Sequence, residues 1–267
     1  MKLSRLFVAG SLALAATVGS AALAHAEDHT STISILHGVP GATVDVYANG
    51  AELLTNFAPG TLTDPQELPE GTYDLKVVAA GAGADGAAVI EANDVAVPAG
   101  ANITIVAHLK ADGKPTLTPF VNDTSASDKG ARLTVRHVAA APAVDVRAGG
   151  AVAVPGLENP KEAKLNIAAG MVAADVVAAG TDTVVLGPAD LDIKAGMNTI
   201  VYAWGSLEGK NLALATQTVK LTTGMPSTGA EGPADTSFLS LAAASLMIAG
   251  VATTVVAAQR SRARSNS

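Results

Sequence analysis

Two stretches of this chain set a histidine a few residues ahead of an aspartate. Residues 37–50 read HGVPGATVDVYANG and residues 137–150 read HVAAAPAVDVRAGG. A histidine oriented by a carboxylate is two thirds of a nucleophilic relay, and both side chains can also hold a metal ion. The pairs are His37 with Asp45 and His137 with Asp145. To work as acid–base partners, ring and carboxylate must come within about 2.6–3.2 Å of each other.

The elements that carry these residues argue against that contact. Residues i and i+2 of a strand share a face. Ile33, Ile35 and His37 therefore share an apolar face, and so do Val44 and Val46. Asp45 and Tyr47 then point away from it. If both apolar faces meet one core, His37 leans in at its rim and Asp45 faces outward. Leu133, Val135 and His137 against Val144, Val146 and Asp145 repeat the pattern. The expected role is structural, with each ring bonded to the backbone of the following turn, because buried polar groups are normally paired. A small ligand or a cation remains conceivable at the rim formed by His37, Asp45, His137 and Asp145.

Other motifs are weaker. Gly81-Ala82-Gly83-Ala84-Asp85-Gly86 fits the dinucleotide fingerprint, which needs a helix directly after it. The following AAVIEANDVAVP is short and broken by Pro98, so a hairpin loop is expected. Asp190-Leu191-Asp192 offers too few oxygens for a calcium loop and reads as a turn. The mature chain has no zinc-type histidine spacing and no G-x-S-x-G elbow. No metal, no cofactor and no catalysis are expected.

The opening match belongs to a longer repeat. GTYDLKVVAAG (71–81) answers GMVAADVVAAG (170–180), and VPAGANITIVAH (97–108) answers IKAGMNTIVYAW (193–204). Ordered self-similarity over most of a chain marks a duplicated domain, and two copies suggest two beads. Apolar residues alternate with polar ones at period two, with Gly, Pro, Asn and Asp between the runs, which is the signature of short strands. The fold class expected is all-β: two tandem antiparallel β-sandwich domains of Ig-like type. Domain 1 is expected over 27–121, a polar linker over 122–131, domain 2 over 132–221 and an exposed stalk over 222–237.

The ends carry the clearest signals. Residues 1–26 have Lys2 and Arg5, an apolar run, and Ala24-His25-Ala26. Small residues at Ala24 and Ala26 suit signal peptidase, so residues 1–26 read as a signal peptide, helical in its apolar part, cut after Ala26. Residues 238–258 form an apolar run long enough for a membrane-spanning helix. The 259–267 tail holds Arg260, Arg262 and Arg264, which would stay on the cytoplasmic side. Upstream lies Met225-Pro226-Ser227-Thr228-Gly229. Motif, apolar run and basic tail together resemble the Leu-Pro-x-Thr-Gly sorting signal of Gram-positive surface proteins. That resemblance implies cleavage by a sortase between Thr228 and Gly229 and attachment of Thr228 to cell-wall peptidoglycan, with Met225 standing where the family has Leu.

Composition narrows the partners. The 27–228 stretch holds 22 acids against 12 bases, a net charge of −10. Nucleic-acid binding rests on Lys and Arg, so no nucleic-acid partner is expected. With no Cys, an exported chain must rely on its cores rather than on disulfides. Six aromatics in this stretch leave little for stacking platforms.

The repeated hairpin also resembles the bacterial domain of unknown function numbered 4397. The first copy has His37, Pro40, Val44, Asp45, Val46 and Tyr47. The second has His137, Pro142, Val144, Asp145 and Val146, with Arg147 for the Tyr and Ala140 for the first Pro. The resemblance covers about 33–120 and 133–219 and implies an exported β-domain, often in tandem, with no established activity. Wall-anchored β-domains sometimes carry a Lys–Asn isopeptide crosslink, for which Lys76 and Asn102 are the pair to check. The function expected is that of a surface protein anchored in the cell wall or the membrane, structural or adhesive, with sortase, peptidoglycan and an unknown surface ligand as partners. The alternative is a small-ligand or cation-binding module using the loops near His37 and His137.

Overall fold

The computed structural model of the chain describes residues 29–222. The stretch 1–26 with Ala24 and Ala26, the motif 225–229, the run 238–258 and the tail lie outside the described residues. Within them the protein is all-β, with no helix, so no described helix is long and apolar enough to cross a membrane.

The first half contributes β1 (Thr30–Gly38), β2 (Val44–Ala48), β3 (Ala51–Phe57), β4 (Gln66–Pro69), β5 (Gly71–Ala79), β6 (Ala88–Val97), β7 (Asn102–Leu109) and β8 (Pro115–Val121). The second contributes β9 (Ala131–Ala140), β10 (Val144–Ala148), β11 (Ala151–Leu157), β12 (Glu162–Ile167), β13 (Gly170–Ala178), β14 (Val184–Ile193), β15 (Met197–Ser206) and β16 (Ala213–Lys220). They form four four-stranded sheets. The orders β4-β1-β7-β8 and β3-β2-β5-β6 recur as β12-β9-β15-β16 and β11-β10-β13-β14. The duplication read from sequence is thus repeated strand for strand.

The connectivity differs from the Ig-like expectation. An Ig domain places its first two strands in one sheet; here β1 and β2 lie in different sheets. Nor are the sheets antiparallel throughout. β1 pairs parallel with β7, and β9 with β15. Asp190 and Asp192 lie within β14 rather than in a turn, because Ala189 to Ile193 continue the pairing with β13.

In each half the two sheets face each other across an apolar core. The first core centres on Ile33, Ile35, Val44, Val46, Leu75, Val77, Ile103 and Ile105. The second uses the matching positions, among them Leu133, Val135, Val144, Val146, Val176 and Val201. Burying each such side chain contributes about 1.5–3 kcal/mol.

A third cluster joins the halves. Leu36, Val106 and Phe120 from the first half meet Val138, Ile200, Tyr202 and Val219 from the second. The sheets holding β1 and β9 therefore pack back to back, and the halves are not separate beads. β1, β7, β9 and β15 are buried on both faces over most of their length, where period two had suggested one solvated face. The 122–131 connection is pinned rather than free. Asn122 is buried. The Arg132 guanidinium donates to the carbonyls of Asp123 and Ser125 and pairs with the Asp123 carboxylate at 2.9 Å.

Candidate functional site

The His–Asp stretch of each half is not the hairpin expected, because its two strands lie in different sheets; its side chains bind backbone groups instead. His37 Nε2 donates to the carbonyl of Ala42 at 2.8 Å, and its Nδ1 faces the Val39 N–H at 3.4 Å. His137 does the same with Pro142 at 3.0 Å and Ala139 at 3.4 Å. This bonding fixes the neutral Nε2–H tautomer in both rings. The rings are 2% and 1% exposed, and burial, opposed only by the turn carbonyl, lowers both pKa values below the usual 6.5. The His37 ring packs against Phe57 on the core side, 5.6 Å between centroids.

Asp45 lies across the sheet from that ring, as alternation requires, yet it is buried rather than outward in solvent. Its Oδ1 accepts from the Asn56 N–H at 2.8 Å and its Oδ2 from the Gly81 N–H at 2.7 Å. The loop between β5 and β6 returns over this face, which also buries Val78 and Tyr47. Asp145 repeats the arrangement with Gly156 at 2.7 Å and Gly180 at 2.8 Å. The Gly180 and Gly156 N–H groups hold its carboxyl below the usual carboxylate range. Asn56 and Gly156 have φ of 50° and 61°, a left-handed geometry suited to Asn and Gly.

Neither histidine reaches its aspartate, and the rim proposed around His37, Asp45, His137 and Asp145 is closed by its own backbone. Sequence reasoning missed the four N–H donors. A signal was there: Asn56 and Gly156 each lie 11 residues after their aspartate.

The other motifs resolve simply. GAGADG forms the loop of the β5–β6 hairpin, with Gly81 and Gly83 at φ 78° and 75°. Lys76 Nζ donates to the Ala84 carbonyl at 2.7 Å, and Asn102 Oδ1 accepts from Asn122 Nδ2 at 2.6 Å, so the crosslink pair is committed elsewhere. Among the described residues no cluster of His, Asp and Glu has the geometry to hold a metal ion.

The densest polar chemistry lies in the seam between halves, unseen in the sequence. Arg136, with a fully buried side chain, donates from Nε to Glu162 at 2.9 Å. Its Nη1 donates to Asn122 Oδ1 at 2.9 Å and to the Tyr202 hydroxyl at 2.8 Å. The Tyr202 hydroxyl in turn donates a hydrogen bond to Gln217 Oε1 at 2.7 Å, and Thr104 donates to the same oxygen at 2.8 Å. The guanidinium carbon lies 4.5 Å from the Phe120 ring centre and 5.3 Å from that of Tyr202, within cation–π range. Burial pushes the Tyr202 phenol above its usual value, so it stays a neutral donor. Nearby, Trp204 lies against Gly60, where an added Cβ would sit 2.8 Å from its ring.

Fold and site together define an all-β protein with a recurring strand order whose repeated His and Asp brace backbone groups. The family model of the domain of unknown function DUF4397 matches residues 31–147, that is, the first half and the opening strands of the second. No curated protein matches the chain.

Proposed function

We propose that this chain is an exported surface protein with a structural or adhesive role and no catalysis. It is fixed to the cell wall through Thr228 or held in the membrane by residues 238–258. The observation that carries this reading is the order of the C-terminal signals: Met225-Pro226-Ser227-Thr228-Gly229, an apolar run, then Arg260, Arg262 and Arg264. The folded part supports it indirectly. The His and Asp of each half are spent on backbone groups. Each half is read as a two-layer sandwich, and the second half as another copy of the domain matched in the first.

The test is fractionation. Wall digested with muramidase should release the wild-type protein bearing peptidoglycan fragments. The Thr228→Ala variant should be absent from that fraction and stay with the membrane. Equal amounts of both in purified wall would refute sorting at Thr228, and loss of neither from the membrane would favour the plain anchor.

A further inference from the structure

Eight described strands lie at sheet edges: β3, β4, β6, β8, β11, β12, β14 and β16. Exposed edges invite pairing with another chain, and proteins blunt them with proline, charge, bulges or brevity. Seven of the eight are blunted. β4 has four residues ending in Pro69, and β8 carries Pro115 and Pro119. β3, β6, β11 and β14 have register shifts against their neighbours, and β12 carries Glu162 and Lys164. β16 reads ALATQTVK. It has no proline, no glycine and no charge before its last residue, and it pairs with β15 over eight positions without a shift.

The outer edge of β16 also borders a groove of about 340 Å³. Residues 216–220 all line it. Successive side chains of a strand point to opposite faces, so five consecutive residues can form one wall only along the strand's edge. Residues 62–65, with Ser34 and Asn102, form the other wall.

We propose that the outer edge of β16 accepts a single extended strand from a partner polypeptide, uncharged and with small or β-branched side chains. Main-chain hydrogen bonds to the edge would supply affinity, as in strand addition generally. The hydroxyls and amides around the groove, Ser34, Thr63, Asn102 and Gln217 among them, suit neutral polar side chains, and its charged lining residues, Asp64 and Lys220, are one of each sign. The opposite wall at 62–65 flanks that edge across the groove. A second copy of this protein would bring its β15 in beside its β16 and meet that wall. The proposal does not depend on how the protein is anchored.

The probe is a phage library of random nine-residue peptides, panned on the full chain in detergent micelles. Enriched peptides should lack proline and charge in their central residues and slow amide exchange over 214–220. Thr216→Lys with Thr218→Lys, both at exposed positions, should weaken them at least tenfold while Trp204 emission stays native. Pro65→Arg, on the opposite wall and outside every strand, should do the same should the lysine pair disturb the fold. Failure to enrich any peptide, equal binding by the variants, or protection mapping elsewhere would overturn the proposal. So would β16 protection that rises with protein concentration alone, since that marks a second copy.

Discussion

His37 and His137 sit near the ends of equivalent strands, β1 and β9, make the same bond and are buried alike. One residue earlier the halves part: Leu36 pairs in register with Val106, whereas Arg136 pairs with Tyr202. All four are fully buried in the seam. The same inversion runs along the edge strands, where Phe120 lies opposite Thr104 and Gln217 opposite Ile200. The His and Asp positions bond within their own half, and there the two halves match. Seam positions answer to the other copy, so an arginine on one side needs a ring and an amide on the other. At these positions likeness goes with bonds inside each half, and difference with contacts across the seam.

The largest test of that comparison is Arg136→Ala. It removes the donor to Asn122 Oδ1 and to the Tyr202 hydroxyl, while Glu162 keeps Lys164 at 3.0 Å, and should cost about 2–5 kcal/mol, as large-to-small substitutions in a core do. Urea denaturation would measure it. Arg136→Met combined with Glu162→Gln should recover most of the loss, because an apolar residue of similar volume often replaces a buried pair without penalty. If the single and double variants are equally unstable, the pair is not what holds the seam.

A smaller effect is expected at Gly60, whose φ is +79° and whose missing Cβ makes room for Trp204. Gly60→Val should cost about 1–3 kcal/mol, as overpacking does. Trp204 is the only tryptophan of the chain, so its emission should shift to the red as the seam opens. Unchanged emission with lowered stability would place the strain within the first half instead.

The smallest effect compares the two histidines by pH. His37 and His137 have folded pKa values below the usual 6.5 because they are buried. The unfolded chain therefore binds more protons as pH falls below 6.5. Stability is complete above that value, is lost as pH falls toward the folded pKa, and levels off beneath it. His37→Phe and His137→Phe should each reduce the slope between pH 6.5 and 5, and by the same amount. Unequal slopes would show the two sites to be less alike than their bonds. His108, buried in the first half beside His137 and Lys110, adds to the same window. Asp145, with a depressed carboxyl, acts lower: its contribution is present above 3.8 and is lost as pH falls through its folded value.

Much of the fold was legible because alternation is a local property. Ile33, Ile35, Val44 and Val46 announce their strands and their common core, and the opposed faces of His37 and Asp45 follow from counting by two. The burial of Asp45 does not. It depends on Gly81, 36 residues on, and no local period registers a loop that folds back. The seam was hidden for a related reason. Ser34, Thr104 and Thr134 look like solvent-facing hydroxyls, and Arg136 looks like a surface charge. They are buried because a second sheet packs over them, with Thr104 donating to Gln217 and Arg136 to Asn122 between the halves, and that sheet's position is not written in their own strands.

The back-to-back packing has a consequence for how such a gene can change. Once the facing surfaces of two copies become complementary rather than identical, the duplication cannot be undone by simple deletion. A chain losing either half would expose Leu36 and Val106, or Arg136 and Tyr202, to water. Substitutions at positions 36, 106 and 120 are therefore coupled to those at 136, 202 and 217 across the whole length of the folded chain. Two halves with one strand order are, at this face, no longer interchangeable.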